Sequence, residues 1–240
     1  MKPKVQVALD LTEIEKAIDI GTEAVKGGVD WIEAGTPLIK SEGTKAIEKL
    51  NEEFPEKEII ADMKTIDTGE LEVGLAAEAG ADIVSILGHS ADKTIEEAVK
   101  ISKKYNIKII SDLITISEPY DSVERLEDLG VDYIGIHTGI DQQKTGKSPL
   151  KELKPVLDKS TVPIAIAGGL EAENSARAIE EGASIVIVGS AITKAEDPAE
   201  EAGKIARNVI KQTRKFSINQ VDDQIEAVAG IRPTLKHPKV

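Results

Sequence analysis

Cysteine is absent from the chain, which excludes disulfides, thiolate metal sites and cysteine nucleophiles. Aromatic side chains are scarce: one Trp, three Tyr and two Phe. A buried core must therefore be built from Ile, Val, Leu and Ala. Basic residues are outnumbered, 30 Lys and Arg against 43 Asp and Glu, for a formal net charge of −13. No basic block interrupts that acidity, so phosphodiester backbones and anionic lipid are repelled. Neither nucleic acid nor a membrane surface is expected as a partner. No apolar run approaches the roughly 20 residues that span a bilayer. Met1–Lys4 lead directly into a strand-like run with no signal-peptide core. A cytoplasmic location is expected.

What is present is an alternation. Eight β-branched runs, Val5–Asp10, Trp31–Gly35, Glu58–Lys64, Ile83–Leu87, Ile107–Leu113, Tyr133–His137, Val162–Ala167 and Ile185–Gly189, are separated by longer amphipathic segments. Near-continuous Ile/Val/Ala runs suit parallel strands buried on both faces. Thr12-Glu13-Ile14-Glu15 has capping-box spacing and predicts a helix start. Ser90 or Asp92 is expected to cap the helix carrying Ile95, Ala98, Val99 and Ile101. Pro119 and Pro198 fall where a first helical turn tolerates proline.

An internal repeat supports the count. Gly28-Val29-Asp30, Gly80-Ala81-Asp82, Gly130-Val131-Asp132 and Gly182-Ala183-Ser184 recur every 50–52 residues, each ahead of an apolar run. The period is two β/α units, and each glycine is read as the left-handed residue ending a helix. Eight such strands close most naturally into a (β/α)8 TIM barrel over residues 1–212. The rival is a doubly wound open sheet. Its dinucleotide fingerprint is missing, since Asp10-Leu11-Thr12 follows the first run. Residues 213–240 fit no further unit and are expected to be a C-terminal extension or linker. Val221, Ile225 and Val228 there could line a short helix, and His237 is expected to be solvated.

Barrel chemistry sits at the carboxyl ends of the strands. Those ends carry Asp10, Glu33, Asp62 with Lys64 and nearby Asp67, His89, Asp112, His137, Gly168-Gly169, and Gly189-Ser190. Asp62 and Lys64 fall on one side of a strand, so the pair can meet, with Asp67 as a further anion holding Lys64 charged. Glu33 and Asp62, on adjacent strands, suit a hard cation such as Mg2+. The glycines ending strands seven and eight suit phosphate, because backbone N–H groups can approach it closely. His137 offers an imidazole for proton transfer; His89 reads as a turn residue. Thr145-Gly146-Lys147-Ser148 looks like the end of a P-loop but lacks its preceding strand and has Asp141 where glycine is required. Residues 138–148 read instead as a polar loop over the mouth, a lid.

Several runs resemble the 3-hexulose-6-phosphate synthase family of the orotidine 5′-monophosphate decarboxylase group. They are Ala8-Leu9-Asp10-Leu11, Ile32-Glu33-Ala34-Gly35-Thr36-Pro37-Leu38-Ile39, Ala61-Asp62-Met63-Lys64-Thr65-Ile66-Asp67-Thr68-Gly69, His137-Thr138-Gly139-Ile140-Asp141-Gln142-Gln143 and Ala167-Gly168-Gly169. The resemblance spans about residues 4–212. It implies a Mg2+-dependent aldolase that reversibly joins ribulose 5-phosphate and formaldehyde into D-arabino-3-hexulose 6-phosphate through an ene-diolate. It implies Mg2+ on Glu33 and Asp62, His137 as proton shuttle and Lys64 as donor to the developing oxyanion. Asp10 would contact sugar hydroxyls. A homodimer is implied, with Asp67 reaching the neighbouring site. The alternative is the related Mg2+-dependent 3-keto-L-gulonate 6-phosphate decarboxylase. That relative has an arginine where Ser190 stands, a departure that favours the synthase and leaves phosphate mainly to backbone N–H groups. A non-catalytic sugar-phosphate sensor is the remote alternative.

Overall fold

A computed structural model of the chain describes residues 1–212; the extension expected at 213–240 lies outside the described residues. Eight parallel strands close into a barrel in sequence order. They are β1 (Lys4–Leu9), β2 (Trp31–Ala34), β3 (Glu58–Thr65), β4 (Ile83–Leu87), β5 (Lys108–Asp112), β6 (Tyr133–His137), β7 (Ile164–Ala167) and β8 (Ile185–Val188). Strand β8 pairs back onto β1. Helices α1 (Ile14–Gly27), α2 (Thr36–Glu42), α3 (Lys45–Glu53), α4 (Gly69–Glu78) and α5 (Asp92–Tyr105) lie between the strands of the first half. The second half carries α6 (Val123–Asp128), α7 (Ile140–Gln143), α8 (Leu150–Leu157), α9 (Ala172–Glu181) and α10 (Ser190–Thr193), then α11 over 198–212. The expected TIM barrel is the observed fold.

The repeat glycines take the left-handed conformation: φ is 99° at Gly28, 94° at Gly80, 88° at Gly130 and 120° at Gly182. The aspartate of the repeat has a role the sequence did not disclose. Asp30, Asp82 and Asp132 each accept the backbone N–H of a residue on the preceding strand, Val5, Ile59 and Ile109, at 2.8–2.9 Å. These bonds tie strands together pairwise at the end of the barrel opposite the chemistry.

Strand alternation separates two cores. Outward residues such as Ile32, Ile59, Val84 and Ile134 join the helices in the large aliphatic layer. Inward residues form a second cluster of Trp31, Ile60, Ile83, Ile110, Ala165 and Ile185. Trp31 and Tyr133, the first residues of β2 and β6, meet edge to face at 5.9 Å and plug the amino-terminal end. Two of the few aromatics thus fill the floor, and the inward rows turn polar above it.

Two expected caps do not form. Helix α1 begins at Ile14 with Glu13 at its cap and no side-chain cap hydrogen bond, so the Thr12 capping box is absent. Helix α5 is capped by Ala91 rather than Ser90 or Asp92. Ser90 is buried and donates to the Thr65 carbonyl at 3.0 Å, while Asp92 accepts from Arg125 Nε at 2.6 Å. Tertiary partners outcompete the local helix end for both side chains. Pro198 does open α11, and Pro119 opens a single 3-10 turn before α6.

Candidate active site

The carboxyl ends of the strands surround a cavity of about 480 Å³. Its inward rows follow from the strand period: Gln6, Ala8 and Asp10 from the first strand, Ile60, Asp62 and Lys64 from the third, Gly135 and His137 from the sixth. Asp10, Glu33, Asp62, Lys64, His137, Gly168, Gly169, Gly189 and Ser190 all line it, as the sequence predicts. His89 is exposed and lies outside the lining. From the expected lid, Ile140 and Gln143 of α7 reach the cavity wall.

A continuous hydrogen-bonded chain crosses the mouth. Thr36 Oγ1 and Ser85 Oγ donate to the two oxygens of Asp62 at 2.7 and 2.6 Å. Lys64 Nζ sits astride those oxygens, 3.0 Å from Oδ1 and 2.8 Å from Oδ2. The same ammonium lies 3.0 Å from Asp112 Oδ2, which His137 Nδ1 approaches at 2.8 Å. Asp112 Oδ1 accepts the Ile114 backbone N–H at 2.8 Å. Lys64 reaches this position through a local irregularity. The β3–β4 register shifts between Ala61 and Thr65, and Lys64 itself adopts φ 49°. Ser85 Oγ takes its backbone N–H at 3.1 Å. A lysine in the left-handed region is strained, and the bonds from Ser85, Asp62 and Asp112 hold it there.

The electrostatics divide the carboxylates into two kinds. Burial disfavours the Asp112 anion, but His137 and Lys64 overcome that and bring its pKa down to about 2. Burial also opposes the Lys64 ammonium, and Asp62 and Asp112 outweigh it, so its pKa rises. Glu33 goes the other way. Burial first, then the nearby Asp62 and Asp10, push its carboxyl well above the usual carboxylate range. Its hydrogen-bond donor is the buried Gln6 amide. Asp10 is raised too, by burial and then by Asp62.

That gathering of acids tests the fit of a cation. Glu33 and Asp62 are 6% and 7% exposed and supply hard oxygen donors, and a cation beside them would offset the burial and repulsion that disfavour the Glu33 anion. Among the described residues no group of three or more Asp, Glu or His side chains forms a metal shell by itself. A cation here would take two carboxylates and complete its shell from substrate and water, the pattern Mg2+ accepts.

The opposite wall is glycine. A Cβ at Gly168, where φ is 113°, would sit 2.3 Å from the Thr138 carbonyl oxygen, so no other residue fits that turn. The N–H groups of Gly168 and Gly169 have no acceptor among the described residues, while the Gly169 carbonyl is held by Asn174 Nδ2 at 3.0 Å. Across the mouth, a Cβ at Gly35 would meet Asp10 Oδ1 at 2.3 Å. Gly35 leaves room for that carboxylate.

One expectation needs correction: Asp67 is not the further anion on Lys64. Asp67 is exposed and lies outside the cavity lining of its own chain. The second anion on Lys64 is Asp112, because the irregular end of β3 turns Lys64 across the barrel towards β5. The supporting residues Gln6, Thr36 and Ser85 also went unassigned. Their signal was a polar residue at an inward position of an otherwise apolar strand, or directly after one.

Asp112 carries a measurable consequence. Its carboxyl is held at about 2 against an ordinary 3.8, so it contributes about 2 kcal/mol of stability above pH 4. That contribution fades as pH falls from about 4 towards 2. In acid titrations followed by circular dichroism, the stability gap between wild type and Asp112→Asn should close over that range. A gap that stayed constant would refute the assignment.

Comparison with known proteins agrees with the fold. Residues 3–205 match the model of the orotidine 5′-phosphate decarboxylase / HUMPS family. A 3-hexulose-6-phosphate synthase of Bacillus subtilis is 39% identical over 211 residues, 87% of this chain and 99% of that protein. The crystal structure of 3-hexulose-6-phosphate synthase from Salmonella typhimurium is similar at TM-score 0.84 and 37% identity, covering 87% of this chain and 99% of that one. A 3-keto-L-gulonate-6-phosphate decarboxylase structure from Vibrio cholerae is more distant, at TM-score 0.75 and 26% identity over 88% of this chain and 99% of that one.

Proposed function

The chain belongs to the orotidine 5′-phosphate decarboxylase / HUMPS family, and from that premise we propose that its barrel mouth acts as a 3-hexulose-6-phosphate synthase. This is an aldehyde-lyase that reversibly joins ribulose 5-phosphate to formaldehyde, giving D-arabino-3-hexulose 6-phosphate. The observation that carries the reading is the hydrogen-bonded chain Asp62–Lys64–Asp112–His137 within one cavity. The higher identity to synthases than to the decarboxylase supports the aldol reading over decarboxylation.

The residues divide the work by what their bonds leave free. Asp112 is ionised near neutral pH and only accepts, so His137 Nδ1 bears a proton and donates to it, and in that neutral tautomer the lone pair is on Nε2. Nε2 is then the base that removes a proton from C1 of the pentulose phosphate. Lys64 has three N–H donors. Asp62 and Asp112 engage two, and the third serves the oxyanion that develops as the ene-diolate forms. C1 then adds to the carbon of formaldehyde, and the new alkoxide takes back the proton that His137 Nε2 removed. Mg2+ bound by Glu33 and Asp62 would supply a Lewis acid for the ketone oxygen. Asp10, set between Gly35 and Gly189, would meet sugar hydroxyls.

The active form in this reading is a cytoplasmic homodimer. Ile66, Leu71 and Leu75, between 43% and 60% exposed, surround the exposed Asp67 along the end of β3 and α4. That apolar face supports a second copy docking there, with Asp67 delivered to the neighbouring mouth. Among the described residues no helix is long and apolar enough to cross a membrane.

The test is consumption of ribulose 5-phosphate by purified, size-characterised protein, with and without formaldehyde and with Mg2+ or a chelator. Loss of the pentulose phosphate only when formaldehyde and metal are both present is expected. Carbon dioxide released from 3-keto-L-gulonate 6-phosphate, with no aldol activity, would make the chain a decarboxylase. Stabilisation by ribulose 5-phosphate with no turnover would make it a sensor. Full turnover by a monomer would remove Asp67 from the site.

A further inference from the structure

The notable cation of the mouth is one that the strand-end reading passed over. Lys194 follows α10, and its backbone N–H bonds the Ser190 carbonyl at 3.1 Å, which brings it over the end of β8. It lines the cavity beside Ser190, Thr193 and the glycines of β7 and β8. The lining holds four carboxylates, Asp10, Glu33, Asp62 and Asp112, against two ammonium groups, Lys64 and Lys194. Lys64 is committed to two of those carboxylates. Lys194 has no ion pair or side-chain hydrogen bond among the described residues. A phosphate dianion entering so acidic a mouth is repelled from the β1–β3 side and needs an uncommitted positive charge on the other.

We propose that Lys194 is the counter-charge for the phosphate monoester of the substrate, clamping it against the free N–H groups of Gly168 and Gly169. Lys194 thereby sets the orientation of the sugar phosphate: phosphate on the β7–β8 side, carbonyl end towards Glu33, Asp62 and His137. The assignment rests on the sugar-phosphate reading above and revises the expectation that phosphate is held mainly by backbone.

The experiment pairs two readouts on the full chain, comparing wild type with Lys194→Gln and Lys194→Arg. The first is the rise in Tm caused by inorganic phosphate, which needs no turnover. The second is KM for ribulose 5-phosphate in the formaldehyde-dependent assay. Lys194→Gln is expected to lose most of the phosphate-induced rise and to raise KM about tenfold, the scale of one charge-assisted hydrogen bond. The fall in kcat should be far smaller, and Lys194→Arg should restore both readouts. A Lys194→Gln variant that kept the wild-type KM and phosphate response would overturn the proposal. A Lys194-dependent phosphate response in a protein without aldol turnover would uphold the anion site and bring down the synthase reading instead.

Discussion

Lys64→Ala is expected to lower kcat by about 10³-fold, the scale of losing a preorganised oxyanion donor in a dry site. It should also destabilise the fold, because Asp62 and Asp112 would face each other in a buried mouth without their shared cation. Removing one partner of a fully buried pair costs about 3–5 kcal/mol. The Lys64 side chain is 23% exposed, so a smaller loss of about 2 kcal/mol is expected here. The sign with pH is fixed by Asp112, whose anion Lys64 helps to favour, so the loss is greatest near neutral pH. It shrinks as pH falls through the carboxylate range. Lys64→Arg separates the two effects. The guanidinium keeps the charge and should recover much of the stability, but its planar fork cannot place one donor where Nζ sits, so turnover stays low. Steady-state kinetics and urea melts of both variants check this. Turnover of Lys64→Ala within tenfold of wild type would remove Lys64 from the chemistry.

His137→Gln should cost about 10²–10⁴-fold in kcat, the range for a lost general base. A more direct readout is exchange of the C1 proton of ribulose 5-phosphate with deuterated solvent when formaldehyde is left out. Wild type should exchange it and His137→Gln should not, because the first half-reaction needs the base but not the aldehyde. Part of the Asp112 contribution to stability, about 1 kcal/mol, should be lost in this variant, since His137 is the first of the two groups that favour the Asp112 anion and its side chain is only 24% exposed. Exchange at the wild-type rate in His137→Gln would assign the base to another group of the lining, Asp10 being a carboxylate there with no side-chain hydrogen bond among the described residues.

Much of this molecule can be read without coordinates, for a physical reason. Strand and helix periods are local, and a left-handed glycine before each even-numbered strand marks the turn wherever the chain goes. Eight alternations and a repeat of 50–52 residues therefore predict the barrel, and the barrel predicts that Glu33, Asp62, Lys64 and His137 face one mouth. Local signals misled where a side chain had a distant alternative. Ser90 and Asp92 have cap chemistry, yet Thr65 and Arg125 claim them. Asp30, Asp82 and Asp132, to which the repeat pattern gave no role, are strand clamps.

The sequence by itself determined which residues stand at the strand ends, because that depends only on where each strand stops. Which of those residues touch was decided by tertiary structure. The irregular end of β3 and the positive φ of Lys64 swing its ammonium onto Asp112, 48 positions away in sequence. The choice of Asp112 over Asp67 as second anion, and the placing of Lys194 over the β8 end, follow from barrel closure. That closure brings chain segments together by shape, and no local pattern records it.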